Sequence, residues 1–369
     1  MLPELADLIR NNIHGFEALR LFDYVTFRAI VAALFAFLLT VTFGRRVIVW
    51  LFTRRIRDVS EDVLTADASS KRGTPTMGGL LLLGAATLAY LLFGRLGNVF
   101  GWLGLSSFVY FGVVGIIDDL QKVKAGRTRG GMSERMKWAL QLLYAVAFAF
   151  VYLHPAVSPF PAGFASQLFA PFLKFPLTDL GWYYGIFVVF VILAITNAVN
   201  LTDGLDGLAI VPAISTAAVY AVFAYVIGNQ VLAEYLRFEF IPGTEELTVL
   251  CAAIAGAGLG FLWFNAYPAE VFMGDTGALA LGGVLSTVAL MLKQELLFVI
   301  VGGVFVVEVG SSLIQGKIGE NVAGRRLMYR APLHLSFRHL GVAEPRVVIR
   351  FWIVSIILAL FGLLTLKVR

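Results

Sequence analysis

Trp182-Tyr-Tyr-Gly-Ile-Phe-Val-Val-Phe-Val-Ile-Leu-Ala-Ile-Thr-Asn-Ala-Val-Asn-Leu201 holds no charged residue and runs directly into Thr202-Asp203-Gly204-Leu205-Asp206-Gly207. A helix needs about 20 mostly apolar residues to cross roughly 30 Å of hydrocarbon, so this run reads as a membrane span. The acids behind it mark where water begins. The whole chain follows the same pattern. Of its 369 residues 59% are hydrophobic and 14% charged, where a water-solvated domain has about half and a quarter. The mean hydropathy is +0.83. Soluble, disordered and fibrous classes are thereby excluded. A single cysteine, Cys251, excludes an intramolecular disulfide.

Ten runs of this kind stand at about 25–44, 77–96, 98–117, 138–154, 182–201, 207–228, 247–265, 276–292, 296–316 and 347–366. The second and third are nearly contiguous and form a tight hairpin. None alternates with period two, which excludes a barrel. The expected fold class is all-α: a polytopic membrane protein with ten transmembrane helices, in one integral-membrane domain over 1–369.

Lys and Arg set the orientation. The stretches 45–76, 118–137 and 317–350 hold 7, 6 and 7 of the 29. With ten spans all three fall on one face, together with the short connections at 202–206 and 266–275. The positive-inside rule makes that face cytoplasmic and both termini periplasmic. Topology thus accounts for the basic surplus, and no nucleic-acid partner is expected. The first 23 residues carry Glu4, Asp7, Arg10, Glu17 and Arg20 and lead into the first span, so no signal peptide is expected. The stretch 155–181 has Lys174 and Asp179 as its only charges. It is expected along the outer interface as a short hairpin or amphipathic piece.

Carboxylates at the ends of membrane helices are ordinary, but here they gather on one side. Asp118 and Asp119 end the third span, Asp203 and Asp206 follow the fifth, and Asp275 precedes the eighth. Asn197, Asn200 and Asp203 recur at i, i+3, i+6, so a helical end places them on broadly one face. Two Asp-Gly pairs within five residues, behind two amides at membrane depth, exceed what loop punctuation needs, because buried amides demand partners. Adjacent residues on a helix point about 100° apart, so Asp118 and Asp119 are expected in two different roles. Oxygen ligands without a His/Cys cluster suit a hard cation such as Mg²⁺. Lys71, Lys122 and Lys137 are basic residues near the acids, and compatible with a phosphate-bearing partner. Glu308, inside the ninth span, is a functional candidate by default, and a structural hydrogen bond explains it as well. Gly319-Glu-Asn-Val-Ala-Gly324 mimics a phosphate loop but lacks its Lys-Ser/Thr. Gly256-Ala-Gly258-Leu-Gly260 reads as close helix packing.

These residues fall in stretches that resemble the phospho-N-acetylmuramoyl-pentapeptide transferase family, a branch of the polyprenyl-phosphate sugar-1-phosphate transferases. The stretches are Thr74-Pro-Thr-Met-Gly-Gly79, Asp118-Asp119, Asn197 through Gly207, Phe261-Leu-Trp-Phe-Asn265, Phe272-Met-Gly-Asp275, Arg330-Ala-Pro-Leu-His334 and Glu344-Pro-Arg-Val-Val-Ile-Arg-Phe-Trp352. They occur in family order along nearly the whole chain. The resemblance implies transfer of phospho-MurNAc-pentapeptide from UDP-MurNAc-pentapeptide to undecaprenyl phosphate, giving lipid I and UMP. It further implies a site on the cytoplasmic face of the cell inner membrane, Mg²⁺ as cofactor, and a homodimer. Carried over, Asp118 and Asp119 match the catalytic pair, Asp275 the Mg²⁺ ligand, and His334 the histidine of the site. Lys71, Thr76, Asn197, Asn200, Asp203, Gly204, Asp206, Asn265, Phe272 and Gln315 match positions around the uridine and diphosphate. Lys122 and Lys137 match basic residues lining it.

The family pattern has three consecutive histidines where this chain has His334, Leu335 and Ser336. Leu offers no hydrogen bond and Ser a shorter reach than imidazole. Weaker donor binding is expected, with Leu335→His plus Ser336→His restoring it unless His339 or Arg338 fills the gap. A sister enzyme transferring GlcNAc-1-phosphate to the same lipid would share the carboxylates and differ in this loop. A transporter would instead carry its acids at the midplane between repeats.

Overall fold

The computed structural model describes residues 1–12, 17–57, 73–126, 130–161, 163–322 and 324–368. Helix occupies each of the ten apolar runs. In chain order the helices are α1 Leu2–Asn12, α2 Val25–Thr53, α3 Gly79–Phe93, α4 Val99–Ala125, α5 Glu134–Leu153, α6 Tyr184–Thr202, α7 Ile210–Ile227, α8 Gln230–Leu236, α9 Glu246–Asn265, α10 Gly274–Met291, α11 Phe298–Val301, α12 Gly303–Leu313, α13 Leu333–His339 and α14 Glu344–Leu364. Among the described residues eight helices are long and apolar enough to cross a membrane, and α3 is a shorter apolar helix. Strand is confined, among the described residues, to Gln167–Leu168 (β1) paired antiparallel with Thr178–Asp179 (β2). The stretch 155–181 thus contains a short hairpin, as its sequence suggests.

Two boundaries differ from the sequence reading. The helix of the third span does not stop at the acid pair: α4 continues through Lys122 and Lys124 to Gly126, which stops it in the left-handed region at φ +62°. Lysines in a last turn favour the negative end of the helix dipole, and a glycine past the end is the usual stop. The run 296–316 is not one helix either. It breaks at Gly302 between α11 and α12, then widens into a π-helical stretch, Ile314–Glu320. Such π turns recur at functional sites.

Helix α10 is the axis of the bundle, every residue from Thr276 to Met291 being buried. Small residues let its neighbours close in, as is usual between helices in lipid. A Cβ on Gly282 would fall 2.6 Å from the Thr196 Cα on α6. Gly260 on α9 likewise leaves no room beside Thr40 and Phe37 of α2. At the end away from the acids, Arg28 and Glu246 form a buried bidentate pair at 2.5 and 2.7 Å, and Glu246 also accepts from the Arg95 N–H. Bidentate pairing of this kind is what makes two buried charges tolerable.

Candidate active site at the helix ends

Segments 75–79 and 272–273 are zipped together by their backbones. Phe272 N–H donates to Pro75 O, and the Gly78 and Gly79 N–H groups donate to Phe272 O and Met273 O at 2.8–2.9 Å. This pairing delivers the first turn of α10 to the flank of α4. Gly274 makes the entry turn at φ +71°, and a Cβ there would fall 2.6 Å from Asp119 Oδ2 and 3.1 Å from Thr76 Oγ1. Only glycine meets both demands.

Asp118 and Asp119, 1% and 3% exposed, serve different partners. Asp119 caps α10 from outside: Oδ1 accepts from the Asp275 N–H at 3.2 Å, and Oδ2 accepts from the Thr276 N–H at 3.0 Å and its hydroxyl at 2.7 Å. Negative charge at a helix N-terminus meets both orphan N–H groups and the dipole. Asp118 turns the other way. Its Oδ1 accepts from the Met132 N–H at 2.7 Å, and its Oδ2 lies 2.7 Å from Lys122 Nζ and 3.0 Å from Lys137 Nζ. The same two ammoniums reach Asp275 Oδ2 at 3.1 and 2.5 Å. Asn200 Nδ2 donates to Asp275 Oδ1 at 3.0 Å.

One oxygen from each of Asp118, Asp119 and Asp275 fits within a 4.8 Å span. The donor set is oxygen only, and three carboxylates against two ammoniums leave one negative charge. These residues fit a hard cation held by carboxylates and substrate phosphate.

The remaining residues singled out by sequence divide. Asp203 is half-buried just past α6; burial, reinforced by the charges of Asp275, Asp119 and Asp206, pushes its carboxyl up to about 8. His334 is buried, and a Cβ on Gly204 would fall 2.5 Å from its Nε2, so the bare Gly204 makes room for the imidazole edge. Four others are bound up in structural pairs. Asn197 Nδ2 donates to Gln141 Oε1 and Leu193 O at 2.7 Å. Asp206 Oδ2 accepts from the Ala269 N–H. Asn265 Oδ1 accepts from the Gly207 N–H and its Nδ2 donates to Val271 O. Gln315 Oε1 accepts from the Leu327 and Met328 N–H groups. Phe272 is half-buried in the backbone zipper. Lys71 lies outside the described residues.

The histidine-poor loop is differently built than its sequence suggests. Ser336 Oγ accepts from the Arg330 N–H at 3.1 Å and donates to Arg330 O, closing the loop on itself. His339 is exposed with its ring 6.0 Å from Tyr329, and Arg338 donates to Val342 O. Three contributors escaped the sequence reading. Thr276 follows Asp275 directly, and its hydroxyl at a helix start was the available signal. Gln141 lies one turn beyond Lys137 on α5, so helical spacing could have found it. Glu344 accepts from the Asp206 N–H at 3.1 Å, hidden because an acid in a first helical turn is commonplace.

An apolar helical bundle with an acid and lysine centre at one end has the make-up of a membrane-embedded enzyme. A family model described as glycosyl transferase family 4 matches residues 99–293, and a phospho-N-acetylmuramoyl-pentapeptide-transferase signature matches residues 71–83. A phospho-N-acetylmuramoyl-pentapeptide-transferase of Desulfotalea psychrophila is 46% identical over 356 residues, covering 96% of this chain and 97% of that one. One of Maridesulfovibrio salexigens is 45% identical over 353 residues, covering 95% and 96%. The chain belongs to the phospho-N-acetylmuramoyl-pentapeptide-transferase family.

Proposed function

We propose that the chain transfers phospho-MurNAc-pentapeptide from UDP-MurNAc-pentapeptide to undecaprenyl phosphate, forming lipid I and UMP at the cytoplasmic face of the cell inner membrane. The observation that carries this reading is the oxygen-only cluster of Asp118, Asp119 and Asp275 braced by Lys122 and Lys137 at one end of the bundle. Ten spans, with α3 as the second and α11–α12 as a broken ninth, complete the reading, with both termini periplasmic and a homodimer as the working form.

In this reading Asp275 is the residue that holds Mg²⁺, with Asn200 fixing its other oxygen. The cation, when bound, neutralises the donor diphosphate and the departing UMP. Lys122 and Lys137 add positive charge beside the transferring phosphoryl group. A phosphate monoester has a second pKa of about 6, so the attacking lipid phosphate is largely dianionic at neutral pH. Asp118, already oriented by two ammoniums, therefore positions the acceptor more than it removes a proton. Asp119 holds α10, and so Asp275, in place.

The test is turnover by the purified enzyme with undecaprenyl phosphate, Mg²⁺, and either UDP-MurNAc-pentapeptide or UDP-GlcNAc. Lipid I formation that stops on chelation is expected. Turnover of UDP-GlcNAc alone would reassign the substrate, and full activity in chelator would remove the cofactor.

A further inference from the structure

Helix α12 and the π turn behind it present three polar side chains, Glu308, Ser311 and Gln315, at i, i+3 and i+7, one face of a helical surface. All three do the same thing. Glu308 Oε1 accepts from the His334 N–H at 3.2 Å, Ser311 Oγ from the Leu333 N–H at 3.0 Å, and Gln315 Oε1 from the Leu327 and Met328 N–H groups at 3.1 and 3.0 Å. The loop that brings His334 to the site is thus laid along one face of α12 by its own backbone.

Glu308 makes one contact more. Its Oε2 lies 2.8 Å from His334 Nδ1, with both side chains at 2% exposure or less. A carboxylate only accepts, so Nδ1 must carry the proton. Nε2 is then the nitrogen turned outward, against the bare Cα of Gly204 beside Asp203. Among the described residues nothing bonds to Nε2. A carboxylate that fixes one ring nitrogen decides what the other can offer a ligand.

We propose that Glu308 is the positioning residue of His334: it fixes the Nδ1–H tautomer and, with Ser311 and Gln315, holds the 327–334 loop so that Nε2 faces the nucleotide donor. This rests on the donor-binding reading of the site. It also gives Gln315 Oε1 a part in supporting the loop.

The experiment is ¹⁵N NMR of histidine-labelled enzyme, with His334→Asn assigning the His334 signals, alongside kinetics of Glu308→Gln, His334→Asn and the double variant. Wild type should show Nδ1 protonated. In Glu308→Gln the amide NH₂ faces the ring, which should move the neutral proton to Nε2. Its kcat/KM for the nucleotide sugar should fall roughly 10- to 100-fold, by analogy with the carboxylate partners of metal-ligating histidines. In the His334→Asn background the same change should cost almost nothing, because residues acting as a unit are non-additive. A wild-type His334 protonated only at Nε2, or losses that multiply in the double variant, would overturn the proposal. Should wild type turn over neither sugar nucleotide, the donor reading falls, while the NMR result still decides the role of Glu308.

Discussion

Asp275 takes both ammoniums on Oδ2 and the Asn200 amide on Oδ1, so its charge is the hub of the cluster. Asp275→Asn keeps the shape and removes that charge. If about 3 kcal/mol of transition-state charge stabilisation is lost with the cation, kcat falls roughly 100-fold. Initial rates against Mg²⁺ concentration check this, and near-wild-type activity at limiting Mg²⁺ would exclude Asp275 as a ligand. Asp203 allows a separate test through pH. Its carboxyl, pushed up to about 8 by burial and then by Asp275, Asp119 and Asp206, keeps a proton in the folded chain that the unfolded chain releases near pH 4. The folded state binds more protons across that window, so this group makes stability fall as pH rises from about 4 to 8. Asn cannot ionise. In Mg²⁺-free buffer the Tm of Asp203→Asn should therefore gain on wild type between pH 5 and 8, and parallel Tm curves would show that Asp203 holds no such proton.

At the scale of elements, the start of α10 depends on a cap borrowed from α4. Thr276→Val removes one of the three donors to Asp119 and should cost about 1 kcal/mol, a single hydrogen bond. Asp119→Ala leaves buried N–H groups without an acceptor and should cost more, about 2–3 kcal/mol. Thermal melts in detergent rank the two, and equal Tm values would show that Asp119 is no cap. The last loop reverses an expectation. Sequence alone suggests that histidines at 335 and 336 would strengthen donor binding, but the Ser336 hydroxyl closes the loop on both backbone groups of Arg330. An imidazole there cannot make both contacts at that range. Leu335→His plus Ser336→His should raise the donor KM, and Ser336→Ala alone should destabilise the fold by about 1 kcal/mol. A lowered KM in the double variant would restore the simpler reading. Spans and acids were legible because hydropathy and charge are local properties. The partnerships were not: Asn197 with Gln141, or Glu308 with His334, join residues 56 and 26 positions apart. Nor does hydropathy register a break such as Gly302, since residues 298–301 and 303–307 on either side of it carry no polar side chain.

Across the whole molecule the polar residues are polarised. Thr76, the acid cluster, Gly204 and His334 gather at one end. At the other, Lys293 donates to Ala165 O and Gln167 O and lies among Tyr152, Phe160, Phe164 and Tyr184, fastening the β1–β2 stretch to the bundle. Under the proposed reaction a UDP-linked donor and a lipid acceptor would meet at the cytoplasmic face, which would put the acid end inside and the β1–β2 stretch outside. The positive-inside count favours the same orientation by a separate route, since basic loops tend to be retained in the cytoplasm. Single-cysteine labelling decides between the two faces. The native Cys251 is buried, and Lys124, Arg326 and Lys174 are exposed. With a membrane-impermeant maleimide on intact cells, Lys174→Cys should label, whereas Lys124→Cys and Arg326→Cys should label only after permeabilisation. Labelling of Lys124→Cys from outside would invert the bundle, strand the acid cluster away from its nucleotide, and end the ten-span assignment along with the proposed reaction.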